Sequence, residues 1–170
     1  KIVAYTYNTK ARFNLPYTGV SADLDNDQNT GSFINPSDLD DNLDILYANA
    51  RQKNGNFDSI VRYTGIKNGQ NLVKKRFGNA LLDEGATVLK VSPFTTTSTK
   101  LFIGTANGKI LRVDNADTTP VWTNITGNNF DAGSISAIAF GASENEILVT
   151  FHNYGVKSVW SSFDAGNTWD

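Results

Sequence analysis

Ser162-Phe163-Asp164-Ala165-Gly166-Asn167-Thr168-Trp169 has the form Ser-x-Asp-x-Gly-x-Thr-Trp and is the most specific string in this sequence. Its fixed positions each have a local physical use. The Asp carboxylate can accept hydrogen bonds from turn N–H groups, as in an Asx-turn. Gly166 supplies a positive φ, which a residue with a Cβ resists. Trp169 gives the next strand a large apolar side chain to bury. The string predicts a tight turn between strands and points to a fold rather than to a reaction.

Upstream of it, three stretches can be laid over one another. The first holds Ser32–Pro36, Ile45–Ala48 and Ser59–Tyr63; the second Val88–Pro93, Leu101–Gly104 and Lys109–Val113; the third Ile135–Phe140, Ile147–Thr150 and Val156–Trp160. Each is a set of β-prone runs separated by Gly, Asn, Pro or Ser. A fourth run follows each set: Leu72–Phe77, Val121–Ile125, and one starting at Thr168-Trp169. The anchors Phe77, Trp122 and Trp169 recur at intervals of 45 and 47 residues. Four strands repeating at about 40–50 residues is the signature of propeller blades. Ile45-Leu46-Tyr47 and Leu101-Phe102-Ile103 are almost continuously apolar, which suits inner strands covered on both faces. Asn107-Gly108 is a hairpin signal between the second and third runs of its set. Short strands between turns also describe a β-sandwich, but a sandwich has no need of a four-strand repeat.

Composition narrows the class further. With 19% charged residues, net charge −2 and scattered Lys and Arg, the sequence has no electrostatic footprint for nucleic acid or an anionic membrane. Its longest apolar runs are a few residues, far short of the ~20 a membrane span needs. Cysteine is absent, which excludes disulfides and thiolate chemistry. Methionine is absent too, and Lys1 opens inside an apolar run without a signal-peptide pattern; the expectation is a processed chain or a piece of a longer one.

Candidate sites are few. Asp23, Asp25, Asp27 and Asn29 place oxygen ligands at alternate positions, a spacing that can curl around Ca²⁺, which takes about six to eight oxygens. Asp38–Asp44 is a second acidic cluster leading into a strand; a solvated Asp- and Asn-rich turn is the simpler reading of both clusters, more so of the second. His152 is the single histidine and lies at an expected hairpin tip, with no Gly-x-Ser-x-Gly elbow elsewhere. Glu84, Glu144 and Glu146 are the only glutamates, and no pair of carboxyls can be nominated for glycoside hydrolysis. Tyr5, Tyr7, Phe13, Tyr17, Tyr63 and Tyr154 lie near loops or strand ends, where flat rings could stack on sugars or pack between blades.

Ser162–Trp169 resembles the Asp-box, or bacterial neuraminidase repeat, that marks hairpins in some β-propellers. Over residues 86–170 the chain is similar to secreted bacterial Asp-box repeat proteins, including sortilin-like propellers and xyloglucanase-like glycosidases. Asp114-Asn115-Ala116-Asp117 is a degenerate box lacking the Ser and Gly, and the first copy carries an acidic insert in place of a box. In sialidases such boxes lie on the blade periphery, away from the substrate, so the resemblance implies a structural role for Ser162, Asp164, Gly166, Thr168 and Trp169. No arginine triad or Tyr/Glu pair of the sialidase kind is recognisable.

The resulting expectation is an all-β fold of four-stranded antiparallel propeller blades in an incomplete ring of about three to four. Residues 1–31 are a remnant of a preceding blade with an acidic linker; 32–82, 83–130 and 131–170 are blades, the last incomplete in its fourth strand. The ring is an open arc, or is completed by polypeptide outside this chain. The resemblance implies a secreted or cell-surface binding or adhesive module, with a glycan or an extracellular protein as partner; the residues themselves nominate no catalytic group, and the spacing of Asp23, Asp25, Asp27 and Asn29 makes Ca²⁺ the one candidate cofactor. The alternative is part of a propeller-type glycoside hydrolase whose acids lie largely elsewhere.

Overall fold

The computed structural model describes residues 3–7, 10–14, 21–23, 30–52, 58–66 and 72–170. All the regular elements among them are β-strands, paired antiparallel in chain order. β1 (Val3–Tyr7), β2 (Lys10–Asn14) and β3 (Ser21–Asp23) form one three-stranded sheet. β4 (Ser37–Asp40), β5 (Ile45–Asn49), β6 (Ile60–Thr64) and β7 (Val73–Phe77) form a four-stranded sheet. β8 (Ala86–Val91), β9 (Leu101–Thr105), β10 (Ile110–Asp114) and β11 (Val121–Asn124) form the next. β12 (Ile135–Phe140), β13 (Ile147–Phe151) and β14 (Val159–Ser162) form the last. After β14 the backbones of Ser161 and Asp170 exchange two hydrogen bonds, of 2.8 and 2.9 Å, so a fourth line of chain begins to pair where the regular strand stops.

The apolar runs at the second position of each sheet explain how the sheets are held. All five residues of β5 and of β9 are buried. Because successive side chains point to opposite faces, each strand contributes to two cores. Ile45 and Tyr47 of β5 meet Leu101 and Ile103 of β9 in one core. Phe102, on the other face of β9, joins Ile138, Ile147 and Val149 in the next. The first strands carry the same succession: β8 lies against β4 and β5 on one side, and β12 lies against β8 and β9 on the other. Ring contacts cross the second seam, with Phe102 and Phe140 centroids 4.9 Å apart and nearly perpendicular.

A repeated irregularity reinforces the seam. Pairing slips between Ala86 and Val88 in β8, and between Ile135 and Ala137 in β12, so that Thr87 and Ser136 are the extra residues of two equivalent β-bulges. The Thr87 hydroxyl donates to Gly104 O at 3.2 Å and to Ile135 O of the following sheet at 2.7 Å. Ser136 repeats the first bond, to Thr150 O at 3.1 Å. Gly104 permits the close approach: a Cβ there would stand 2.5 Å from Ile135 Cγ2. The far face of the last sheet has no such cover among the described residues, and Leu148 and Val159 are 44% and 52% exposed there.

The first strand of the β4–β7 sheet differs from expectation. Ser32–Pro36 is not a strand, and Phe33 and Ile34 are 79% and 84% exposed. The Asn35 carboxamide instead accepts from Ser32 N at 3.1 Å and donates to Asn49 O at 2.9 Å, which turns the chain. The ladder begins at Ser37, inside the acidic cluster. There Asp38 accepts from Val91 N at 2.7 Å and pairs with Lys90 Nζ at 3.3 Å in the next sheet. Asp40 caps the N–H groups of Asn42 and Leu43 and accepts the Thr99 hydroxyl at 2.6 Å. The acidic residues at 38 and 40 are therefore seam and turn groups. The third strand of the last sheet is also shifted, to Val159–Ser162 from the expected Val156–Trp160.

Gly104→Ala should lower stability by roughly 1–3 kcal/mol, since the new methyl overpacks the seam against Ile135. Urea unfolding monitored by tryptophan fluorescence checks this. The expected result is a lower midpoint at unchanged slope, and an unchanged midpoint contradicts the packing.

Candidate functional site

The Ser162–Trp169 turn closes on itself through its own polar groups. The Ser162 hydroxyl accepts from Gly166 N at 2.8 Å and donates to Asp164 Oδ1 at 2.9 Å. Asp164 Oδ1 also accepts from Thr168 N at 2.8 Å, while Oδ2 accepts the Thr168 hydroxyl at 2.6 Å. Ala165 and Gly166 follow in the left-handed region, with φ of 61° and 88°. The Trp169 indole N–H donates to Ile125 O at 2.8 Å, which fastens the turn to the end of β11 in the preceding sheet. Thr168, through its hydroxyl and then its N–H, holds the Asp164 carboxyl below the usual carboxylate range. With both oxygens engaged in the turn, Asp164 works as a cap.

The equivalent turn after β10 is held differently. Asn115 takes the positive φ, 53°. Asp117 reaches back to accept from Thr99 N at 2.8 Å and from the Ser98 hydroxyl at 2.6 Å. This turn is therefore tied to the loop between β8 and β9 rather than closed on its own Ser and Gly.

Beside the Ser162–Trp169 turn, where the loop after β11 meets it, lies a cleft of about 210 Å³. At its back Trp160 is buried and Trp169 half-buried, with Phe130 packed between them at centroid distances of 4.8 and 5.2 Å, and the surface it presents is mostly polar. Its outer edge carries the exposed residues Asn128, Asn129 and Asn167. Asn167 uses its Nδ2 on Asp164 O at 2.6 Å. No charged side chain lines the cleft. Lys157 lies over the Trp160 ring, 4.0 Å from its centroid, outside that lining.

The other candidates are dispersed. Asp23 ends β3, and Asp25, Asp27 and Asn29 lie outside the described residues. Among the described residues no three His, Cys, Asp or Glu side chains gather as a metal site. His152 is exposed, with its backbone N–H bonded to Ser134 O at 3.1 Å. Glu144 bridges two sheets through the Ser92 hydroxyl and the Lys100 ammonium. Glu146 caps the N–H of Ala142 at 2.9 Å. The Asp58 carboxyl is displaced upward, chiefly by burial, against the opposing charge of Arg51, whose Nε is 3.2 Å away. Of the aromatic residues near strand ends, Tyr63 is a core residue at 3% exposure and Tyr154 is fully exposed; Tyr17 lies outside the described residues. Sequence reasoning missed the cleft because it assigned Trp160 and Trp169 to strands and passed over Asn128-Asn129. That paired amide directly after Gly127 was the available signal.

No family model, curated protein or solved structure matches this chain.

Because the folded pKa of Asp164 is depressed, its contribution to stability is complete above the unfolded value of about 3.9 and is lost as pH falls through the lower folded value. Thermal unfolding of the wild type and Asp164→Asn across pH should show the wild type melting higher at neutral pH and the gap closing below about pH 4. A gap that persists unchanged into strong acid contradicts the cap.

Proposed function

We propose that the sheets from β4 to β14 are blades of an Asp-box β-propeller and that the chain serves as a glycan- or protein-binding module of a larger secreted or surface protein. The observation that carries the propeller reading is the succession of first strands β4, β8 and β12, each against the next, with β9 covered on both faces by the neighbouring sheets. The Ser162–Trp169 turn supports the Asp-box assignment, because its hydrogen bonds use the Ser, Asp, Gly and Thr positions that define the motif. Secretion and a bacterial source rest on that resemblance alone.

On this reading the far face of the β12–β14 sheet receives a further blade, from the same parent polypeptide or from another chain. Ser136 stands where Thr87 reaches the following sheet. Thr150 stands where Gly104 lies, so the side chain that docks there is smaller than Ile135.

Binding is favoured over hydrolysis by the state of the carboxylates. Asp83 pairs with Lys109, Asp114 with Arg112, and Glu144 with Lys100, while Asp38, Asp40 and Asp164 hold backbone turns or seams. Retaining and inverting hydrolysis both need two carboxyls facing one bond across a gap, and the cleft lining contains none.

The purified chain applied to a glycan array, with reducing-sugar release measured on the same glycans, should be retained on a subset and release nothing. Release of reducing ends that is abolished by Asp58→Asn would replace the binding reading with the hydrolase one.

A further inference from the structure

We infer that the cleft between the loop after β11 and the Ser162–Trp169 turn is a subsite for one uncharged sugar residue. The inference rests on the reading of the chain as a binding module and adds to it a position and a ligand class.

Three observations carry it. The first is which polar groups remain available. The Thr168 hydroxyl is committed to Asp164 and the Thr126 hydroxyl to Asn124 and Ile110, and Asn167 has spent one of its two amide N–H groups on Asp164 O. The side-chain amides of Asn128 and Asn129 make no hydrogen bond among the described residues, and the carbonyl oxygen of Asn167 remains an acceptor. Each free carboxamide offers two N–H donors and a two-lone-pair acceptor. A sugar hydroxyl both donates and accepts, so adjacent hydroxyls answer such amides without leaving either partner unpaired.

The second is charge. The lining is wholly neutral, whereas a carboxylate or phosphate taken out of water calls for a cation or a cluster of N–H donors. The third is size. About 210 Å³ is below the roughly 300–1,000 Å³ of clefts for drug-sized ligands, which limits the occupant to one ring. Most of the surface it meets there is polar, and of the two indoles at its back Trp169 is half-buried and Trp160 buried. An extended peptide is the poorer fit, because strand addition needs a run of free backbone along a sheet edge and the cleft offers side-chain amides instead.

The chain contains three tryptophans, and the third, Trp122, packs against Phe77 at the other seam. This supplies an internal control. Methyl glycosides of glucose, galactose, mannose and N-acetylglucosamine are titrated into nitrogen-15-labelled chain while the three indole N–H signals are followed. At least one glycoside should move the Trp160 and Trp169 signals in a saturable manner and leave Trp122 in place. Asn128→Ala with Asn129→Ala should weaken that binding at least roughly tenfold, the sum of two lost hydrogen bonds. Both positions are exposed, so the variant keeps its melting temperature. Glucuronate and inorganic phosphate should bind more weakly than the neutral glycosides.

Absence of any shift with all four glycosides overturns the subsite, and so does equal binding of glucuronate or phosphate. Retention of the wild type and of the double variant alike on the same arrayed glycan overturns the subsite while leaving the binding-module reading intact. Failure of the wild type to hold any glycan or protein removes both.

Discussion

A strand that is apolar on both faces has to be covered twice. Leu101, Phe102 and Ile103 in β9 are each almost wholly excluded from water, yet they point alternately to opposite sides of one sheet. Burying an aliphatic or aromatic side chain of this size is worth about 1.5–3 kcal/mol. A sheet standing alone forfeits that on one face. The β4–β7 sheet supplies the cover on one side and the β12–β14 sheet on the other. The rest of the architecture follows from keeping those two seams closed: matched bulges at Thr87 and Ser136, a glycine at 104, and acidic side chains from 38, 40 and 144 that reach across to the neighbouring sheet.

The same requirement shapes the outer ends of the sheets. Trp169 is tied by its indole N–H to the carbonyl of Ile125, so the turn after β14 is anchored on the sheet before it. Phe130 fills the space between Trp160 and Trp169 and draws the loop after β11 against the same turn. Two loops from neighbouring sheets are thereby brought face to face, and their unused amides frame a small neutral cleft. The cleft is a by-product of sealing the seam, with buried rings behind it and exposed loop residues at its edge.

Legibility in the sequence tracked how local the cause was. The strands β5 and β9 were visible as short apolar runs, and the Ser162–Trp169 turn was visible because the side-chain bonds among its Ser, Asp, Gly and Thr positions span four residues or fewer. The first strand at Ser37–Asp40 was not. Its register depends on an Asn35–Asn49 contact across 14 residues and on Asp38 reaching Val91 across 53, so propensity favoured the neighbouring Phe33-Ile34, which the fold leaves in solvent. The cleft was hidden for a similar reason. Asn128-Asn129 reads as an ordinary turn until the loop is seen beside Trp160 and Asn167, more than 30 residues away in sequence.

The central claim is that successive sheets lie against one another and share their buried faces. The contact between Phe102 of β9 and Phe140 of β12 crosses a seam directly, so a double-mutant cycle with Phe102→Leu and Phe140→Leu measures it. If the seam is closed as described, the two rings couple favourably by about 0.5–1.5 kcal/mol. Additive losses, with no coupling between the two positions, would contradict it.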